Sequence, residues 1–436
     1  VAQRADGEWN RRLFGKIGKG DFSLKLSHVS RNKIVPTASW GQDFPGAATP
    51  GRTNNHTLDE ETSVALVYDH DFSDFSNLNI HLNYSAYHSE GIYNYLTSWG
   101  SLNKDVANGK WWSLDPSYTF SPSAAHKLIV GAMYKDYFQQ DQSNFDLPPL
   151  YFSYLNDKRS ASASAVYIND EWMITDRVHL NAGIRYDHDS QAGGTLSPRV
   201  ALIYRPVEAA SIKLIYGEAY RSANAYELYY HDGLNTTKPA MNLKSEQNRT
   251  IELVWEQQWD ERIATTVSLY NYKIKNLITQ QLDPADGLMV FVNQGKVDGR
   301  GVELGTDLKW NDIFSTRLSY SYQQAKNTQS GTRRVNSPAH MGKAQVLGSL
   351  LQDRLSAGLE LQYMSPRSTV AGGQTPAYTI GNLTLIGQHL VKGMELRASI
   401  YNLLDKTYSD PAGVEHTQQS IPQAGRNYHL AVSYTF

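Results

Sequence analysis

The 436-residue chain carries 41 Lys and Arg against 43 Asp and Glu, for a formal net charge of −2, which leaves no basic footprint for nucleic acid. It has no cysteine, which excludes a disulfide scaffold and cysteine-based metal sites. It also has no run of about 18 apolar residues that could cross a membrane as a helix.

Hydrophobic residues make up 40% of the chain and charged residues 19%, with 28 tyrosines. The polarity sits in Ser, Thr, Asn, Gln, Gly and Tyr. Such a mix suits a wall that is apolar on one face, polar on the other and belted with aromatics. The chain opens on Val1 with no signal peptide in view, so further sequence is expected upstream.

The predicted elements are strands from one end to the other. Phe22, Leu24 and Leu26 alternate with polar neighbours, and Leu78, Ile80, Leu82, Tyr84 and Ala86 alternate with Asn77, Asn79, His81, Asn83 and Ser85. Val178, Leu180, Ala182, Ile184 and Tyr186 repeat the pattern. Ile212 to Tyr216, Leu355 to Tyr363 and Met394 to Ile400 follow it too. A period of two gives strands with one apolar face. About 19 such segments are visible, mostly about 10–13 residues long, the length of a tilted membrane-crossing strand. Strands of soluble proteins average about 5–6 residues.

Connections alternate short and long. Short links fall at residues 18–20, 70–76, 121–124 and 175–176, and long polar loops at 31–58, 90–109, 139–159 and 222–245. Short turns on one side and long loops on the other are how outer-membrane barrels are arranged. The chain closes with Tyr428, Leu430, Val432, Tyr434 and Phe436, an apolar stripe that reads as an assembly signal for the outer membrane. The expected fold class is therefore all-β, a transmembrane antiparallel β-barrel.

Several segments resemble the barrel of TonB-dependent receptors. They are Leu196-Ser197-Pro198-Arg199 leading into Val200, Tyr220-Arg221-Ser222-Ala223 leading to Tyr226-Glu227-Leu228-Tyr229, and Met241-Asn242-Leu243-Lys244-Ser245-Glu246. Closer matches are Val292-Asn293-Gln294-Gly295-Lys296 running into Arg300-Gly301-Val302-Glu303-Leu304, and Tyr401-Asn402-Leu403-Leu404-Asp405-Lys406-Thr407-Tyr408 followed by Gly425-Arg426. The resemblance implies a barrel of about 22 strands around a plug. The whole of 1–436 is then barrel, and the plug, about three strands and a TonB-contacting segment lie upstream. It implies residence in the outer membrane of a Gram-negative bacterium as a monomer. The partners implied are the TonB complex and a metal chelate or similar small ligand, with outer-membrane lipid and lipopolysaccharide around the wall.

No spacing of Asp and Glu sets up an acid–base pair, and no nucleophile elbow, P-loop or zinc signature is present. Neither a catalytic residue, a metal site nor a cofactor is expected. Ligand contacts are expected on the long loops: Tyr93, Tyr95 and Trp99 in one, Tyr151 and Phe152 beside Pro148-Pro149 in another, Tyr229, Tyr230 and His231 in a third. Aromatic loops with polar tips suit a flat, partly apolar chelate. Trp111 and Trp112 read as membrane-interface belt. By the resemblance His231 could ligate haem iron, although an exposed loop histidine without a ligand is the plainer reading. Arg185, Arg199, Lys213, Arg300 and Arg397 are expected to face the lumen. The expected function is import of a scarce ligand such as a ferric siderophore, cobalamin or haem, and a passive porin-like channel without a plug is the alternative.

Overall fold

A computed structural model describes residues 6–43, 55–95, 100–351, 354–388 and 391–435. Among them, 19 strands form one antiparallel sheet in which each strand pairs with its neighbours along the chain. The first ten are β1 (Glu8–Lys19), β2 (Phe22–Ile34), β3 (His56–Ser73), β4 (Ser76–Tyr95), β5 (Ser101–Ser123), β6 (His126–Asp146), β7 (Ser153–Thr175), β8 (Val178–Asp189), β9 (Gly193–Tyr204) and β10 (Ala210–Arg221). A short helix, α1 (Ala225–Tyr229), precedes β11 (Glu246–Gln258), β12 (Ile263–Leu282), β13 (Met289–Lys309), β14 (Phe314–Asn327), β15 (His340–Leu350) and β16 (Leu355–Met364). The sheet ends with β19 (Tyr378–Gln388), β20 (Met394–Tyr401) and β23 (Asn427–Tyr434). Two small ribbons stand apart from it: β17 (Arg367–Ser368) with β18 (Gln374–Thr375), and β21 (Ser409–Pro411) with β22 (Ser420–Pro422).

Alternation decides what each face meets. Leu66, Leu82 and Leu114 lie directly opposite one another across β3, β4 and β5, and all three are exposed on the outer face. The other face is polar: Ser63 and Ser85 pair at 3.3 Å, and Asn83 donates to Ser113 at 3.4 Å. An apolar exterior and a hydrogen-bonded interior are the reverse of a soluble sheet and match a wall bathed in lipid. Tight turns gather at one end. Lys19 pairs with Phe22 across Gly20-Asp21, and Gly20 takes the positive φ of 55° that such a turn requires. Exposed Phe72, Phe75, Trp259 and Trp310 ring that end, as an interfacial girdle does.

The sheet curls until its two ends nearly meet. The segment after β2 bonds to the segment between β21 and β22: Ser39 bridges His416, and Trp40 N donates to Glu415 O at 2.8 Å. Even so, β1 pairs only with β2, and β23 only with β20, among the described residues.

Three expectations need correction. Strands β3–β7, β12 and β13 run for 18–23 residues, not about 10–13, so most of 90–109 and 139–159 is strand rather than loop. Above the bilayer neither face meets lipid, the apolar alternation disappears, and backbone pairing alone continues the ladder. Trp112 lies opposite exposed Tyr84, but Trp111 lies opposite buried Ser85 and stacks with Lys135 on the inner face. Only Trp112 therefore belongs to the belt. Arg300 shares the pleat face of Val302 and exposed Leu304 and points outward. Being basic, it was expected inside, yet it sits above the apolar band, where a charge meets headgroups. Arg185, Arg199, Lys213 and Arg397 do alternate with outward apolar neighbours. Of the closing stripe, Tyr428, Leu430, Val432 and Tyr434 are exposed along β23, and Phe436 lies outside the described residues.

Candidate functional site

At the long-loop end, the chain between β10 and β11 turns in over the lumen, and α1 anchors it. Asn224 caps the helix by accepting from Glu227 N at 2.9 Å, while the Glu227 side chain accepts from Asn224 N at 2.9 Å, a reciprocal capping box. Arg221 grips Glu227 and Glu246 together, through four contacts of 2.8–3.0 Å. Beneath the helix, Leu228 is 4% exposed and packs with Ala223 and Ile278, with Tyr229, Leu243 and Phe291 around them. A five-residue helix has little stability of its own; this apolar pad and the Arg221 clamp hold it.

The pad aims Tyr226 and Tyr230, one turn apart with ring centroids 4.6 Å apart, into the lumen. There they face the upper ends of β4, β5 and β6 across a cavity of about 380 Å³. The Tyr230 hydroxyl donates to both Asp105 oxygens, at 3.0 and 3.2 Å. Asn144 also donates to Asp105 and to Asn103, and Asn103 donates to Asp146 at 3.1 Å. Tyr154 closes the chain by donating to Asp146 at 2.8 Å. Asp105 lies seven residues above Trp112 on β5, beyond the apolar band. Burial pushes its carboxyl up to about 6, against the lowering effect of the Asn144 and Tyr230 hydrogen bonds, and nearby Asp232 adds to the rise. Burial and neighbouring Asp105 likewise raise the hydroxyls of Tyr93, Tyr95 and Tyr230.

Local constraints set each wall. Tyr93 lies over Gly91, where a Cβ would meet its hydroxyl oxygen at 2.4 Å and its ring at 2.6 Å, so only glycine leaves it room. Asp232 accepts from the backbone N–H groups of Asn235, Thr236 and Thr237 at 3.0–3.1 Å, which fixes the loop that forms one rim. Among the described residues, the cavity is lined by Asp105, Asp146 and Asp232 and by no Lys, Arg or His. No group of three or more His, Cys, Asp or Glu among the described residues could hold a metal ion.

Of the residues expected to contact ligand, Tyr93, Tyr95 and Tyr230 line this cavity together. Tyr229 instead packs on the apolar pad, with the Arg159 guanidinium 3.6 Å above its ring. Tyr151 and Phe152 are 71% and 59% exposed at the tip between β6 and β7, away from the lining. His231 accepts from Gly233 N through Nδ1 at 3.2 Å and does not line the cavity. Trp99 lies outside the described residues. The reading of the sequence missed Asp105, Asp146, Asn144, Tyr226 and Gln42, which also belong to the lining. Asp105 and Asn144 were passed over because their segments were taken as loop rather than as strand with an inner face.

Comparison with known proteins gives these features a family context. A family model described as TonB dependent receptor-like, beta-barrel, matches residues 7–403. The vitamin B12 transporter BtuB of Vibrio cholerae is 26% identical over 285 residues, 64% of this chain and 43% of that protein. The iron-regulated outer membrane virulence protein of V. cholerae is 23% identical, over 62% of this chain and 44% of that protein. The chain thus spans less than half the length of these relatives. Among solved structures, the copper transporter OprC superposes with a TM-score of 0.78 at 14% identity, covering 98% of this chain and 72% of that one. The ferric yersiniabactin uptake receptor FyuA of Yersinia pestis gives 0.74 at 14% identity, covering 95% and 68%.

Proposed function

The chain belongs to the TonB-dependent receptor β-barrel family of the Gram-negative outer membrane, and on that premise we propose that it is the wall of an energy-coupled importer. The ligand is captured in the cavity between α1 and β4–β6 and released inward when a plug is remodelled through TonB. One observation carries this reading: the loop above the lumen is clamped by Arg221 and Leu228 so that its tyrosines complete a preformed, polar-lined cup. Preformed concave sites with a few fixed polar groups are how small ligands are held. A siderophore or cobalamin complex remains in the proposed class. The cup itself does not favour haem, because His231 stands outside its lining.

The plug and the TonB-contacting segment are proposed to lie upstream, with further strands between β23 and β1. Two unpaired strand edges in a bilayer leave backbone groups unsatisfied at a cost of several kcal/mol each, and filling the gap removes that cost. The test is uptake by cells producing the receptor from its whole gene, with TonB present or deleted. Uptake that needs TonB supports an energy-coupled receptor; uptake indifferent to TonB makes it a passive channel.

The outer wall carries its own proposed contact. Arg249, Lys273, Lys275, Arg300 and Lys326 share the outward face on four adjacent strands, with Glu218 and Asp298 as the acids among them. Arg300 stands about ten residues up β13 from Trp310, roughly 33 Å of strand and about 25 Å of height once tilted. That places the basic group at the outer headgroup level, where lipopolysaccharide phosphates would pair with it. Exchanging Lys273 and Arg300 for Glu is expected to reduce co-purifying lipopolysaccharide; unchanged lipid content would sink this contact.

A further inference from the structure

With the cup taken as the capture site, a reading on which this inference rests, its chemistry narrows the ligand beyond family membership. Among the described residues, every ionisable group in its lining other than tyrosine is a carboxylic acid. Among the lumenal bases of the wall, Arg185 is engaged with Asp187, Arg159 with Asp157 and the Tyr229 ring, and Lys135 with the Trp111 and Tyr137 rings. An anionic chelate would therefore enter against uncompensated like charge, a repulsion that a partly desolvated site strengthens.

A second observation is independent of charge. Gln42 lines the cavity at 5% exposure, and its Oε1 accepts no hydrogen bond. Its Nε2 meanwhile donates to Ser39 at 3.3 Å. A buried acceptor without a donor costs free energy until something supplies one. That oxygen is closed off from solvent, and a donor-bearing guest that draws the Gln42 side chain toward it would satisfy both it and the carboxylates.

The rings supply the third element. Tyr93, Tyr95, Tyr226, Tyr230 and Trp40 surround the space, and aromatic faces grouped around a carboxylate are a recognised receptor for ammonium groups. The donor set cannot be read as a bare-metal site, since no cluster of three metal ligands is present among the described residues. We infer that the cup selects an organic cation, a small molecule or chelate that presents an ammonium or guanidinium group to Asp105 and Gln42 between the tyrosine rings. The raised carboxyl of Asp105 accords with this: a bound cation would offset the burial that now disfavours its charge.

The test uses the receptor produced from its whole gene, purified in detergent, and two probes of nearly equal size and opposite charge, phenethylammonium and 3-phenylpropionate. Equilibrium dialysis is expected to show specific binding of the ammonium and none of the carboxylate. Asp105→Asn, which keeps an acceptor for Tyr230, should weaken ammonium binding roughly 10- to 100-fold, the weight of a charged contact, and Tyr226→Leu should weaken it as well. Equal binding of the two probes, or ammonium binding indifferent to Asp105→Asn, would overturn the inference. So would absence of ammonium binding by folded receptor, the result expected if a basic side chain of the plug already fills the cup. These outcomes are separable from failure of the receptor reading. TonB-dependent uptake without cation binding would leave the receptor and remove the cation; selective cation binding without any such uptake would do the reverse.

Discussion

Asp105 shows how one residue joins the wall to the cup. Its carboxyl is raised from 3.8 to about 6, chiefly by burial. Below about pH 4 it is neutral in folded and unfolded chains alike and contributes nothing to the pH dependence. Between 4 and 6 the folded state keeps a proton that the unfolded state loses. Above 6 both are ionised and the folded state carries the desolvation cost, so this residue's effect on stability falls as pH rises through that window. Isotope-edited infrared spectra, wild type minus Asp105→Asn, should place half-protonation near pH 6; a midpoint near 4 would show that the group is not desolvated. Gly91 makes a second residue-level case. A methyl there would collide with the Tyr93 ring, so Gly91→Ala should displace the ring and weaken ligand retention while the barrel still assembles. Unaltered retention would show that Tyr93 is not a wall of the site.

At the scale of elements, α1 depends on its pad. Leu228→Ala removes the most buried side chain beneath it, and losses of about 2 kcal/mol or more are usual for such truncations. Amide exchange in α1 should then accelerate roughly 30-fold, with β11 and β12 unchanged; equal protection in both proteins would mean that Arg221 alone holds the loop. The strands invite a different contrast. Leu269→Arg on the lipid face should cost about 2–4 kcal/mol in refolding into vesicles, whereas Ser268→Arg on the lumen face should cost far less. Similar penalties would contradict the assigned pleat. This pleat was readable from sequence wherever lipid meets one face: Leu78 to Ala86 and Val178 to Tyr186 alternate without error. It was not readable where strands rise above the bilayer, because Asn103 to Asp105 on β5 and Gln142 to Asn144 on β6 are polar on both faces. The upper halves of the longest strands passed for loops there. Aromatic content alone still found Tyr93, Tyr95 and Tyr230. It could not separate them from Tyr151 and Phe152, whose exposure depends on where the β6–β7 connection ends, nor find the acids between them.

For the molecule as a whole, the curled sheet, the girdle of Phe72, Phe75, Trp259 and Trp310, and the cup over the lumen form one arrangement along the membrane normal. Apolar residues face lipid in the middle, aromatics mark the tight-turn side, and polar strand extensions carry the cup outward. The contact of Trp40 with Glu415 draws the two ends of the sheet together above the edges of β1 and β23, which are unpaired among the described residues. Strands added there would complete the wall without moving the cup. The most direct measurement is accumulation of a radiolabelled panel by cells producing the receptor from its whole gene, with and without TonB. The panel should include cyanocobalamin, a ferric catecholate and an ammonium-bearing ferric chelate. The account predicts that at least one, the ammonium-bearing chelate foremost, accumulates only when TonB is present, and that Asp105→Asn together with Tyr226→Leu abolishes it. Accumulation equal in the two strains, or untouched by those substitutions, would contradict it.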